Sequence, residues 1–417
     1  MTARGDTAII SGMQSWLSRY PKALTALVAS TVLMVSGYSL LWPLVTIYVH
    51  TRLGLSMTDA GLVLLLQAAA NLGGNLLGGG LFDRWGGRRT IVLGAAMAAL
   101  AAGGMAVFHT VAAYAPLTVL LSAGTGLVYP CIYAFAAQVW PEGRRAAFNA
   151  VYVASNVGVA VGSFAGGQLA QLSFPLSFAV TGLMFLAYLV WVIVAFRGRV
   201  WQNAPLPASP AAPLGRALGR APRFPLAPLL LAVGMFLDWA AYVQWQVTVP
   251  THMQALGFSL SSYSVLWTVN GGVILIGQPL VSWLTARVRR VRAQILVGNC
   301  LFVAAFLVLA RSGAYGGFLL AMALATFGEM LVWPGVPAAA DDLAPEGRRG
   351  LYQGLISGAA SAGRGLGPLL GGLLYDHYPS ATLFLAMVGI FVLALAVFAA
   401  HDRIGAKAAR PGAALGH

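Results

Sequence analysis

Acidic residues are scarce in this chain. Asp and Glu together number 11 of 417, and all charged residues make up 9% of the sequence, against roughly 25% in an ordinary soluble domain. With 59% of its residues hydrophobic, the chain carries more apolar surface than a soluble core can hide, so lipid is its expected solvent. Cysteine is nearly missing. Cys131 and Cys300 both lie in apolar segments, without the spacing of a disulfide framework or a metal site, and they read as small core residues. There is no nucleophile–base constellation, metal cluster or phosphate-binding loop, so neither an enzyme nor a cofactor is expected. No cleavable signal is expected either, because the stretch before Ala23 is polar and mixed.

What fills the chain instead is a series of long apolar runs. They cover 23–49, 58–82, 90–109, 113–139, 146–172, 174–196, 225–252, 259–286, 293–311, 315–341, 350–375 and 379–400. Each is long enough to cross a bilayer as a helix, which predicts an all-α integral membrane protein with twelve transmembrane helices. Its 50 glycines are frequent within the runs, as expected where helices approach closely in lipid.

The net charge of +14 is a topology signal. All Lys and Arg except Arg52, Arg311 and Arg364 fall within 1–22, 84–89, 144–145, 197–223, 287–292, 348–349 and 403–410. Such alternation puts these segments, and both termini, in the cytoplasm by the positive-inside rule, where they meet anionic lipid heads. Basic residues dispersed over seven segments do not make a nucleic-acid-binding patch.

The linker 197–224 is rich in Pro, Ala and Arg and too polar to span. The expected organisation is a cytoplasmic N-terminus (1–22), a six-helix bundle (23–196), the cytoplasmic linker, a second six-helix bundle (225–403) and a cytoplasmic tail (404–417). The halves repeat. Tyr129-Pro130 precedes Pro141-Glu142-Gly143-Arg144-Arg145, and Trp333-Pro334 precedes Pro345-Glu346-Gly347-Arg348-Arg349, 204 positions later. Six helices per unit make these parallel repeats, the arrangement of the two halves of major facilitator transporters, whose substrate site lies between them near the midplane.

Three charges fall deep inside runs: Glu329, Asp238 and Arg364. An acid at the centre of a membrane helix costs roughly 2.5–3.5 kcal/mol on insertion scales, so it is expected to face a polar space or a partner. Counting about 1.5 Å per residue puts the three at similar depth, and Arg364 is expected to pair with one of the acids. A carboxyl that exchanges its proton for a cationic substrate suits an antiporter; a fixed ion pair that sets helix register is the other reading.

Further residues resemble the major facilitator superfamily. The stretch Gly79-Gly80-Leu81-Phe82-Asp83-Arg84-Trp85-Gly86-Gly87-Arg88-Arg89 resembles its G-x-x-x-D-R-x-G-R-K signature, with Gly87 at a usually basic position. The resemblance implies a conformational gate in which Asp83 caps a neighbouring helix and pairs with arginine, supported by Gly79, Arg84, Gly86 and Arg88. Gly354, Gly363, Gly367-Pro368 and Gly371-Gly372 look like the antiporter signature of drug:proton exporters, though in the eleventh run and not the fifth. The fifth run has a partial version, Gly158, Gly162, Ser163, Gly166 and Gly167. The buried arginine that many such exporters carry in the fourth run is missing from Leu120 to Gly124, so coupling is expected in the second half.

The pattern is similar to LmrP-like and MdtH-like bacterial multidrug transporters, in the former of which a Gly-Glu before aromatic-x-Pro carries a functional acid. Gly328-Glu329 matches it. A second acid of that transporter falls in the seventh run, where this chain has Gln246. The resemblance implies a monomer in the bacterial cytoplasmic (inner) membrane, working by alternating access on a proton gradient.

Spacing suggests the cavity walls: Tyr38 and Trp42 on one face, Asn71, Tyr129 with Tyr133, Trp239 with Tyr242 and Gln246, Trp267 with Asn270, and Trp333. An aromatic-rich pocket with few acids suits lipophilic cations. The expected function is proton-coupled multidrug efflux of lipophilic, cationic compounds. The alternative is a carrier of one metabolite, such as a sugar, an amino acid or a lipid-like molecule.

Overall fold

A computed structural model describes residues 21–41, 44–198, 201, 225–288, 290–345 and 349–408. Two short elements follow the first long helix: α1 (Lys22–Ser39), then α2 (Val45–Ile47), which runs into a π-helical turn, Tyr48–Arg52. The rest of the first half is α3 (Met57–Trp85), α4 (Gly87–Val107), α5 (Val111–Val139), α6 (Arg144–Leu172) and α7 (Phe174–Ala195). The second half is α8 (Leu226–Tyr242), α9 (Gln244–Ala255), α10 (Leu260–Arg287), α11 (Val291–Arg311), α12 (Tyr315–Leu343), α13 (Arg349–His377) and α14 (Ser380–Ala408).

Among the described residues, eleven helices are long and apolar enough to cross a membrane, α8 and α9 counting as one. The twelfth expected span is α13. Its 29 residues reach about 43 Å at 1.5 Å each, but glycine, Gln353, Ser357, Ser361 and Arg364 lower its apolarity. The first expected span, 23–49, is not one helix. Ser39 ends α1, and Pro43, between α1 and α2, has no N–H with which to continue an α-helical ladder.

The chain forms two compact units. One holds Met1–Leu41 and Ala70–Pro207; the other holds Trp42–Ala69 and Ala208–His417. In the first, α1 packs on α6 and α7, and α4 on α5 and α7. In the second, α8 packs on α13 and α14, and α11 on α12 and α14. These are the same pairs, one repeat later.

Glycine decides the closest crossings. A Cβ on Gly94 would stand 2.5 Å from the Gly124 carbonyl oxygen, and one on Gly124 would stand 2.6 Å from that of Gly94. Gly298 and Gly328, each 204 positions on, face each other in the same way, at 2.9 and 2.8 Å. Only the residue without a side chain lets two backbones meet so closely, the packing that drives association in lipid.

Within the second unit, Met57 packs with Val243 and Val247, and the Met57 backbone covers Gly372. These contacts join Trp42–Ala69 to the second half of the sequence. The unit's core is aromatic: Trp245, Tyr263, Phe302, Phe306, Phe318 and Phe384 are fully buried. Of the two cysteines, Cys131 is buried as expected, whereas Cys300 is exposed on α11, a position open to lipid.

Candidate functional site

Glu329 is the fifteenth of the 29 residues of α12, its midpoint. It is 8% exposed. One oxygen, Oε2, accepts a short hydrogen bond from the Tyr242 hydroxyl. The other, Oε1, accepts from Asn270 Nδ2 at 3.0 Å. The same amide nitrogen also donates to Thr326 Oγ1 at 2.9 Å, whose hydroxyl donates to the Met322 carbonyl. Helices α8, α10 and α12 thus each contribute to one closed network. Its partners are neutral. A carboxyl buried this way keeps its hydrogen-bonding needs met without a cation to fix its charge.

Asp238 lies on α8 and is 0% exposed. Both of its oxygens accept from Asn299 Nδ2 of α11, at 2.8 and 2.9 Å. Glu329 and Asp238 therefore sit in separate pockets of hydrogen bonds. One helical step is 100°, so Trp239 leaves α8 in another direction. Its indole stacks on Trp333, with centroids 4.4 Å apart and planes 8° from parallel. The Arg364 guanidinium lies 4.4 Å over the same indole. Arg364, Trp239 and Trp333 thus form one cluster around the Trp239 indole. Arg364 Nη2 also donates to Ser361 Oγ at 3.2 Å. Arg364 is not among the hydrogen-bond partners of Glu329 or Asp238: a phenol and an amide hold the first, an amide holds the second, and the guanidinium lies over an aromatic ring.

The expected cavity residues divide. Tyr242 stands edge-on to Trp239 and Trp333 and is buried, so it serves Glu329 and not an open wall. Trp267 is buried as well; its Nε1–H donates to the Tyr263 hydroxyl, which donates to the Trp245 carbonyl, both at 2.9 Å. That chain ties α10 to α9 and makes Trp267 a packing residue. Asn270 belongs to the Glu329 network. Trp239, Trp333 and Gln246 remain half-buried. In the first unit, Tyr38 and Tyr129 are half-buried and Tyr133 is exposed, stacked with Phe148. Asn71 donates to the Ser122 carbonyl at 3.2 Å and accepts from Asn75 at 2.9 Å. Trp42 lies outside the described residues.

The repeat explains why the first unit has no acid here. Subtracting 204 turns Tyr242 into Tyr38, Trp333 into Tyr129 and Glu329 into Thr125. The aromatic frame occurs twice; the carboxylate occurs once.

Among the expected gating residues, Asp83 and Arg84 are exposed at the end of α3. Gly86 has φ +86°, a conformation that glycine adopts freely, and it starts α4. Gly87 departs from the signature for a steric reason: any side chain there would enter the rings of Phe82 and Phe135. Arg88 Nη2 donates to the Ile193 carbonyl at 2.8 Å. Gly363 and Gly367 lie against the backbone of α8, and Pro368 offers its carbonyl to the close approach of Gly61. Gly158, Gly162 and Gly166 meet α1 in the same manner.

Three residues escaped the reading of the sequence. Asn299 looks like an ordinary small polar residue in an apolar run. Gln244 inserts its amide between helices, with Nε2 donating to the Gly367 carbonyl at 2.8 Å; the usable signal was its helical spacing from Thr248, whose hydroxyl donates to Gln244 Oε1. Asp376, at the end of α13, accepts from Met57 N at 2.9 Å, Thr58 N at 2.7 Å and Thr58 Oγ1 at 2.6 Å. It thereby holds the first amides of α3, which have no partner within their own helix. Partial burial pushes the Asp376 carboxyl up, but the bonds from the Thr58 hydroxyl and amide and the Met57 amide, with the nearby His50 adding charge, outweigh it and hold the group below its usual range. Ser56 and Asp59 complete this helix start by exchanging side-chain and backbone bonds.

Comparison with known proteins places this architecture. The sequence profile of the Major Facilitator Superfamily matches residues 27–293 and 231–415. An uncharacterized MFS-type transporter of Bacillus subtilis (strain 168), YttB, is 43% identical over 388 residues, which cover 92% of this chain and 96% of that protein. The multidrug resistance protein MdtH of Klebsiella pneumoniae (strain 342) is 24% identical, over 84% of this chain and 86% of its own. Among solved structures, a POT family transporter in complex with 5-aminolevulinic acid superposes with TM-score 0.77 at 14% identity, covering 93% of this chain and 96% of its own. The nucleoside transporter NupG superposes with TM-score 0.76 at 12% identity, covering 91% and 99%. With the twofold helix repeat and the two-unit architecture already in place, this chain belongs to the Major Facilitator Superfamily and is a multi-pass membrane secondary transporter.

Proposed function

We propose that this transporter exports lipophilic, aromatic compounds, cations among them, in exchange for protons, and that Glu329 carries the exchanged proton. The observation that carries the reading is the setting of Glu329: mid-helix, buried, and bonded only to neutral groups among the described residues. A permanently ionised carboxylate with no counter-ion is expensive at this depth. A carboxyl that alternates between protonated and charged forms is not, provided that charge appears only when a cation or water arrives.

The substrate class follows from the aromatic pair. Trp239 and Trp333 form a flat apolar surface, and Trp239 already seats a flat cation of the protein's own, Arg364. Cation–π contact of this kind contributes about 0.5–2 kcal/mol, and a lipophilic cation displacing Arg364 would gain the same contact. The amides of Asn71, Asn75 and Asn270 are bonded to protein groups, which weighs against the second reading, a carrier of one polar metabolite. The likeness to proteins named for multidrug resistance supports the same choice. Alternating access, a cytoplasmic location for both termini and residence in the bacterial cytoplasmic membrane complete the proposal, the second from the distribution of arginine and the third from the likeness to bacterial transporters.

The test uses the purified protein in liposomes with a trapped pH dye. A lipophilic cation such as ethidium should drive proton movement in the wild type and clearly less in Glu329→Gln. Substrate movement with no proton signal in either protein would leave a facilitator and remove the coupling role.

A further inference from the structure

Asp238 and Asn299 form a polar pair in which both residues are fully buried. One amide nitrogen reaches both carboxyl oxygens, at 2.8 and 2.9 Å. Asn299 Oδ1, by contrast, has no hydrogen-bond partner among the described residues. A buried acceptor left unpaired is costly, and it stands on the group that faces the acid. The arrangement lacks one hydrogen atom. If the carboxyl carries a proton, a turn of the amide about its Cβ–Cγ bond lets the acid O–H donate to Oδ1 while Nδ2–H donates to the other carboxyl oxygen. This is a cyclic carboxyl–amide pair, in which every inward-facing donor and acceptor is used. The ionised acid offers only acceptors and leaves Oδ1 unpaired.

We infer that Asp238 and Asn299 together are a second proton-binding site, occupied when the pair is sealed as it is here, with the proton bridging Asp238 and Asn299 Oδ1. The proton comes from a hydronium ion: one of its O–H bonds breaks, leaving water, and an O–H bond forms on the carboxylate, so no redox partner is needed. Glu329 and its Tyr242–Asn270 network share no residue with this pair, so the two acids load separately. Asn299 is a positioning residue: it makes the buried carboxyl a stable proton holder and turns its amide when the proton leaves. The inference deepens the proton-coupled reading, since it adds a second proton to the same carrier.

Infrared spectroscopy of the reconstituted protein near neutral pH tests it. The wild-type minus Asp238→Asn difference should contain the C=O stretch of a protonated carboxyl. That band should survive in Glu329→Gln and move when Asn299→Leu removes its hydrogen bonds. Because Asn299→Leu can disturb folding, the exchanged pair Asp238→Asn with Asn299→Asp provides a second readout and should restore a protonated-carboxyl band. In transport, Asn299→Leu should remove one titration step from the pH profile, and the exchanged pair should bring it back. Absence of the band from the wild-type minus Asp238→Asn difference means that the acid is ionised and overturns the inference. So does a band that Asn299→Leu leaves in place in a folded protein. The infrared readout needs no transport, so it stands or falls independently of the export function.

Discussion

Tyr242 donates its phenolic hydrogen to Glu329 across the gap between α8 and α12, and the same ring stands edge-on against both indoles of the Trp239–Trp333 stack. The acid and the aromatic surface are therefore mechanically joined through one side chain. Anything that shifts the indoles moves the hydroxyl on which the carboxyl depends.

Tyr242→Phe keeps the ring and removes this bond. A hydrogen bond to a charged group contributes about 1.5–3 kcal/mol, roughly a 10–100-fold factor at 1.4 kcal/mol per decade. The variant should bind a lipophilic cation normally, because the ring and the indole stack remain, but its substrate-driven proton flux should fall by about tenfold or more. Equal flux in wild type and variant, measured in the same liposomes, would remove Tyr242 from the coupling.

Arg364→Gln should tighten the binding of a lipophilic cation. It vacates one face of Trp239 and removes a like charge. The expected gain is about 2–30-fold, from the 0.5–2 kcal/mol of a cation–π contact. Quenching of tryptophan fluorescence by ethidium measures it. Weaker binding in the variant would mean that Arg364 helps to hold the ligand.

The glycine crossings separate two classes of substitution. Gly162→Ala puts a methyl group into the backbone of α1 at Ser36, and Gly367→Ala puts one into α8 at Ala240. Each should cost about 1–3 kcal/mol by overpacking and lower the melting temperature in detergent. Gly103→Ala on α4 meets nothing within 4 Å and should leave stability unchanged or raise it by about 0.5–1 kcal/mol, the helical preference for alanine over glycine.

Asp376→Asn removes the charge that holds the start of α3. Because the native carboxyl is held below its usual range, its contribution to stability is fully present above the unfolded value, about pH 3.9, and is lost as pH falls through the lower folded value. The melting-temperature difference between wild type and Asp376→Asn should be constant from pH 5 to pH 8 and vanish only in stronger acid. A difference that already shrinks between pH 7 and pH 5 would contradict this assignment to Asp376.

Much of the architecture was legible because membranes simplify it. Apolar runs give the helices, arginine gives the expected sidedness, and the offset of 204 that links Tyr129 to Trp333 also links Gly94 to Gly298 and Gly124 to Gly328. The site was legible in depth and not in direction. Counting residues puts Asp238, Glu329 and Arg364 near mid-helix, but it does not tell which neighbour each faces. Asp238 turns to α11 and finds Asn299, while Trp239, one residue on, turns to α12 and α13. The hold of Asp376 on Met57 joins residues 319 positions apart at the ends of two helices, where local sequence carries no trace of the partner. The break after Ser39 was missed because an apolar run reads the same whether or not a short gap interrupts it.

The measurement that bears most directly on the account is substrate-driven proton movement in liposomes carrying wild-type protein or Glu329→Gln. The account expects ethidium to move protons in the wild type, to bind the variant with similar affinity, and to move clearly fewer protons there. Proton movement that continues undiminished in a folded Glu329→Gln would contradict it, because the buried carboxyl at the centre of α12 would then carry no proton that the transport cycle uses.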